Sequence, residues 1–352
     1  MTTLSIESIA KEFNPRDVYL NSATVGLPPR RSIEAFAAAT SDWARGVCTP
    51  DLYDEAVERS RSAFASLVGV PVEWVATGSL VSPLVGLVAA ALPDGAKVLC
   101  AENEFTSVLF PFLAHSDRGV SVTSVPLEEL IDRIDSSVDL VAVSHVQSAD
   151  GRVCDLASLS SACHRHGVAS LVDATQSAGW HPIDATSVDY LVVGAYKWLM
   201  SPRGTSLMSV NPAAKFTLRP LYANWYAGTN PWESIYGEPL RLAHTARKYD
   251  TSPAWLNWMA TAPALELCVE LGVEQIFQHN CSLATEAASR LGTSVSGTAI
   301  VVIPTSHPAD QIVARLNDNQ IAAAIRDGAV RVSFHLYNSA SDVEALVAAL
   351  RG

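Results

Sequence analysis

Two stretches decide the reading of this chain: Leu171-Val172-Asp173-Ala174-Thr175-Gln176-Ser177 and Gly194-Ala195-Tyr196-Lys197-Trp198-Leu199-Met200-Ser201-Pro202-Arg203-Gly204. Each follows a short apolar run, 168–173 and 189–193, that reads as a buried strand with a polar group at its carboxyl end. Further strands are expected at 97–101 and 139–146, and helices at 55–69, 82–92 and 155–166. Strands alternating with helices predict an α/β fold, a mostly parallel sheet sandwiched by helices. Ligands of such sheets bind beyond the carboxyl ends of the strands. Asp173 and Lys197 are therefore the first candidates for chemistry.

Working outward, the tail has a different pattern. A long helix is expected over 266–287, strands at 299–303 and 330–334, and an amphipathic helix over 342–350. This suits a small C-terminal α+β domain. The 352 residues accommodate two domains at about 150 residues each. The expected division is an N-terminal segment, 1–15, packing near the small domain, a large domain over 16–245 and the small domain over 246–352.

Composition removes several classes of function. A formal net charge of −12 opposes nucleic-acid binding, which needs clustered cations. The longest apolar runs fall short of the roughly 20 residues of a membrane span, so no membrane partner is expected. The first residues carry no basic region followed by an apolar run, so no secretory signal is expected. Six scattered cysteines without a CxxC pair suit a reduced, cytoplasmic protein. Cys163-His164-Arg165-His166 reads as a polar helix end rather than a metal site, because adjacent helical residues point apart.

Only five lysines occur, and Lys197 alone follows an apolar strand among aromatic residues. Desolvation lowers the pKa of such an amine and makes it a nucleophile for a carbonyl; a snorkelling lysine at a strand end is the alternative. Asp173, by itself, could be a turn former or cap. Together the two suggest a pyridoxal phosphate site, since that cofactor needs a lysine for its aldehyde and a carboxylate against its ring nitrogen.

The chain resembles the class V aminotransferase family of pyridoxal phosphate enzymes, of fold type I, which includes cysteine desulfurases and kynureninase. Tyr19-Leu20-Asn21-Ser22-Ala23, Thr77-Gly78-Ser79, Glu104-Phe105 and His145-Val146-Gln147-Ser148 are similar to its successive motifs. So are Asp173-Ala174-Thr175-Gln176-Ser177, Tyr196-Lys197 with Pro202-Arg203-Gly204, and Arg331-Val332-Ser333-Phe334-His335-Leu336-Tyr337-Asn338. The resemblance implies that Lys197 bonds the cofactor and moves the Cα proton, with Asp173 on the ring nitrogen. It implies that Gln176 and Ser148 serve the phenolic oxygen, that Phe105 stacks on the ring, and that Gly78, Ser79 and Tyr196 hold the phosphate. Asn21 and Arg331 would meet the substrate, Arg331 as a two-pronged donor to its carboxylate. Gly228 and Thr229, in Trp225-Tyr226-Ala227-Gly228-Thr229, would reach a neighbouring subunit's phosphate, which implies a homodimer.

Three departures refine this expectation. Desulfurases carry a loop with a nucleophilic cysteine shortly before the arginine motif; here 326–331 is too short and no cysteine is near. Ser148 stands where relatives have Asn. Gly194 stands where many have a phosphate-binding Ser. The expected activity is transamination of a small amino acid, with carbon–sulfur β-elimination or epimerisation as alternatives of the same family, and a non-catalytic cofactor-binding protein as the alternative of another class.

Overall fold

The computed structural model describes residues 5–305, 307–326 and 328–351. Seven strands form the central sheet: β2 (Val75–Gly78), β3 (Lys97–Ala101), β4 (Ser121–Val125), β5 (Leu140–Ser144), β6 (Ala169–Asp173), β7 (Tyr190–Gly194) and β8 (Ser206–Val210). A two-residue strand, β1 (Val18–Tyr19), precedes them. Their order is β2-β8-β7-β6-β5-β3-β4, with β8 antiparallel to both neighbours and the other pairs parallel.

Strands β5, β6 and β7 are buried along their whole length because helices cover both faces. The two-residue period of a strand divides their side chains between two cores. Val141, Val143, Val172, Leu191 and Val193 face one, with helices Pro50–Val68, Leu156–His166 and Trp255–Leu271. Leu140, Ala142, Leu171, Tyr190 and Val192 face the other, with helices Val81–Ala91 and Thr106–Leu113.

A second unit holds a three-stranded antiparallel sheet of β9 (Ile300–Ile303), β11 (Ala324–Arg326) and β12 (Ala329–Ser333). A short β10 (Ile321–Ala322) pairs with β1. Its core runs from Leu283 to Ala349 and includes Leu20 from the N-terminal side. The expected long helix over 266–287 is two helices, Trp255–Leu271 and Val273–Leu291, separated by Gly272 at φ +82°. The first packs on helices Arg30–Ala44 and Pro50–Val68. The second supplies the small unit's Leu283, Ala284 and Ala287. These contacts place Trp255–Leu271 against the helices of the large sheet. Near the amino end, Phe13 meets Tyr337 edge-on at 5.2 Å.

One buried ion pair fixes the edge of the large sheet. Arg61 Nη2 lies 2.7 Å from Asp250 Oδ2, and both side chains are buried. Asp250 Oδ1 accepts from Thr77 N at 2.7 Å, and Arg61 Nη1 donates to Val75 O at 2.5 Å. The open edge of β2 is thereby satisfied by the Arg61 and Asp250 side chains and by Thr251 N, which donates to Thr77 O at 3.1 Å, instead of another strand. Arg61→Leu leaves Asp250 a buried carboxylate without its main partner. The expected loss is about 3–5 kcal/mol of unfolding free energy in urea titration. A loss below about 1 kcal/mol would show that the pair does not hold this edge.

Candidate active site

The carboxyl ends of the parallel strands meet at one cleft. Ser144 ends β5, Asp173 ends β6, Gly194 ends β7 and Ser79 follows β2; all four line it. Lys197 lies on the turn that reverses β7 into β8, so the single antiparallel strand of the sheet is what brings the lysine back over the strand ends.

Lys197 is 5% exposed. Burial pulls its pKa down to about 8; Asp173 acts the other way, and the charges of Arg331, Arg203 and Arg326 add to the depression. Its Nζ lies 5.2 Å from the centroid of the Phe105 ring and 5.7 Å from that of Tyr196. Burial raises Asp173 to about 6, against its bond from Thr175 N and the charge of Lys197. Phe105 is 42% exposed, a lid over the amine. Its backbone is fixed by Glu104, whose Oε1 accepts from Phe105 N at 2.8 Å and whose Oε2 accepts from Ser144 N at 2.8 Å. Gln147 Nε2 donates to the same carboxylate at 3.1 Å.

At one end of the cleft, helix Val81–Ala91 begins without any side-chain cap, and Ser79, Leu80, Val81 and Ser82 all line the space. Uncapped N–H groups and the helix dipole favour an anion at such a place. Tyr196, Ser107, Thr205 and Arg203 complete it, with the Arg203 guanidinium 5.0 Å from the Tyr196 ring centroid. Gly78 lies beneath rather than on the lining. A Cβ there would meet Ser206 Oγ at 3.1 Å and Leu84 at 3.2 Å, so its contribution is close packing.

At the other end Arg331, on β12, is 2% exposed. Its Nη1 donates to Ser148 O and its Nη2 to Thr24 Oγ1 at 2.9 Å, while Nε has no partner. Burial, with the neighbouring charge of Arg326, pulls its pKa down to about 10. No carboxylate pairs with it among the described residues. Asn21 bridges to Ser333 on the same strand, and its Oδ1 is buried without a partner. A buried cation beside orphaned polar atoms is expensive unless an anion arrives.

The structure thus brings Ser79, Phe105, Ser148, Asp173, Gln176, Tyr196 and Lys197 onto one lining, with Arg331 bonded to Ser148 at its edge. Gly228 and Thr229 lie outside this lining, held to Leu242 and Arg241. Gln176 Nε2 already donates to Ala23 O and Ser148 Oγ, so both of its hydrogens are engaged. The sequence reading missed Thr175, whose Oγ1 accepts from Gly194 N at 2.9 Å, and Arg203 as a lining cation. No cysteine lines the cleft among the described residues, and Arg326 of β11 stands opposite Ala329 of β12. An uncapped helix start, a desolvated amine facing a ring, a buried carboxylate and an unpaired arginine fit pyridoxal phosphate and an amino acid. In cofactor-free protein, the rate at which added pyridoxal phosphate forms its visible band should rise with pH with a midpoint at about 8, as Lys197 loses its proton. A midpoint at the ordinary lysine value of 10.5 would contradict the desolvated amine.

Comparison with known proteins agrees with this geometry. The family described as aminotransferase class-V matches residues 18–314. The chain is 29% identical over 312 residues to a Bacillus subtilis protein named uncharacterized aminotransferase YcbU, covering 83% of each. It is 24% identical over 389 residues to isopenicillin N epimerase of Amycolatopsis lactamdurans, covering 96% of this chain and 95% of that one. A variant of the C-DES enzyme, solved with glycine covalently linked to its PLP cofactor, superposes with a TM-score of 0.86 at 20% identity, covering 99% of both chains. This chain belongs to the class-V aminotransferase family and is a pyridoxal phosphate-dependent enzyme of fold type I.

Proposed function

We propose that the protein transaminates a small amino acid, with Lys197 as its one proton carrier. The observation that supports this is the set of titratable side chains lining the cleft: Asp173, Tyr196, Lys197 and Arg203. Burial pushes the Tyr196 hydroxyl above its usual range, and a guanidinium is not a general acid or base near neutrality. Asp173 serves the ring nitrogen. Lys197 alone remains to take and return a proton near neutrality. A proton moved between neighbouring atoms on one face needs a single base. Epimerisation through two bases needs a proton donor on the opposite face, and the lining side chains named above supply no second group that titrates near neutrality.

Bound in this cleft, pyridoxal phosphate supplies an electron sink for the pair released at the substrate Cα. Lys197 Nζ accepts the Cα proton. Arg331 holds the α-carboxylate through two N–H groups, with Asn21 beside it. Phe105 covers the ring face, and Gln176 with Ser148 directs hydrogen bonds to the phenolic oxygen once one amide hydrogen is released. Ser79, Tyr196 and the start of helix Val81–Ala91 hold the phosphate above the packing at Gly78.

We place Gly228 and Thr229 at the cleft of a second copy, in a homodimer. Their surroundings support this, for Leu221, Tyr222, Trp232 and Leu240 are exposed there and Tyr236 is 87% exposed. A cytoplasmic location is supported by six free cysteines, and no helix among the described residues is long and apolar enough to cross a membrane.

A panel of amino acids added to the cofactor-loaded protein tests the reaction type. Conversion of the cofactor to pyridoxamine phosphate with release of an oxo acid is expected. Pyruvate and ammonia without that conversion would establish elimination instead, and loss of optical activity without either would establish epimerisation. Arg331→Gln should raise the amino-acid concentration for half-maximal conversion about 10–100-fold. An unchanged concentration dependence would move the carboxylate anchor to another residue.

A further inference from the structure

Two buried side chains next to the cleft have no part in the chemistry above. Trp198 directly follows Lys197, and His335 lies four residues after Arg331. Both are fully enclosed.

The turn that carries Lys197 is one its own sequence does not favour. Met200 has φ +52°, a left-handed conformation that costs a residue with a Cβ. Met200 N closes the turn on Lys197 O at 3.0 Å. Such a turn persists when contacts from elsewhere hold it. Gly26 N donates to Tyr196 O at 2.9 Å, and a Cβ on Gly26 would fall 1.8 Å from Lys197 O, so backbone packs directly on backbone. From the other side, His335 Nε2 lies 3.0 Å from Trp198 O. The carbonyl can only accept, which fixes the proton on Nε2. Asn280 Nδ2 faces Nδ1 at 3.5 Å as the complementary donor. Burial drives the ring's pKa down to about 3, so it stays a neutral donor.

The same tryptophan reaches the cofactor side. Trp198 Nε1 donates to Gln176 Oε1 at 2.7 Å. Gln176 Nε2 donates to Ser148 Oγ at 3.2 Å, and Arg331 Nη1 donates to Ser148 O. Arg331 and His335 share one segment of the small unit, so the contacts close into a ring: Arg331, Ser148, Gln176, Trp198, His335 and back along the chain. Trp198 is wedged between the rings of Trp180, at 5.0 Å, and His335, at 5.3 Å.

We propose that Trp198 and His335 are positioning residues. Through this ring they set Lys197 and the Gln176 amide from the segment that carries Arg331, so that lysine, phenolic-oxygen ligand and carboxylate anchor are held as one unit. The proposal rests on the roles given above to Lys197 and Arg331.

The test uses the full chain loaded with pyridoxal phosphate. It compares wild type, His335→Phe, His335→Gln and Trp198→Phe by cofactor affinity, by pH titration of the visible band and by thermal midpoint. Phenylalanine keeps the ring volume and removes the donor; glutamine returns an N–H near the Nε2 position. His335→Phe and Trp198→Phe should bind pyridoxal phosphate about tenfold more weakly. They should also move the band's titration midpoint by about half a unit or more. His335→Gln should bring both values back toward wild type. Wild-type affinity and midpoint in both phenylalanine variants would overturn the proposal. So would equal impairment of His335→Gln and His335→Phe, because volume and not the donor would then matter. Trp198→Phe decides the matter if His335→Phe fails to fold. The underlying assignment is read separately: a band that survives in Lys197→Ala would overturn the role of the lysine itself.

Discussion

An amine and a carboxylate held out of water at the ends of neighbouring strands are the constraint around which this molecule is built. Each alone is costly to bury. Burial pulls the Lys197 pKa down to about 8 and raises that of Asp173 to about 6, which brings the amine toward the pH at which it can move a proton. The sheet makes the arrangement possible. Parallel β6 and β7 present their carboxyl ends side by side, and the reversal into β8 folds the lysine back over them. A fully parallel sheet would carry the chain away from the strand ends at that point.

Two buried arginines show opposite uses of one side chain. Arg61 is matched by Asp250 and anchors the edge strand that leads into Ser79, so its charge is consumed in structure. Arg331 is as deeply buried but among the described residues bonds to Ser148 and Thr24, neutral groups that orient it without neutralising it. The difference marks Arg331 as the one whose charge meets no carboxylate among the described residues. It also explains why the cleft lies between two units. The uncapped helix start follows a strand of the large sheet, Arg331 lies on the small one, and Leu20, just after β1, sits in the small core.

Much of this was legible in the chain. The strands ending at Asp173 and Gly194, and the helix closed by Gly167, follow from apolar runs and stop residues that act locally. Asp173 and Lys197 could be singled out because strand ends are where such sheets bind ligands, and both line the cleft. The break at Gly272 was not, since the flanking helical pattern continues through it. Nor was the link between Arg61 and Asp250, partners 189 positions apart. Thr175 and the Trp198–His335 contact were hidden for the same reason: a hydrogen bond between distant segments leaves no local period. Gln176 was found by motif, but its engagement by Ala23 and Ser148 needed coordinates.

The central claim is that one desolvated lysine among the chain's five carries the cofactor. It is tested most directly by reducing the loaded protein with borohydride and mapping the phosphopyridoxyl group in a digest. The account predicts stoichiometric label on the peptide containing Lys197 and none on those containing Lys11, Lys97, Lys215 or Lys248. Label at any of those four, with Lys197 unmodified, would contradict it.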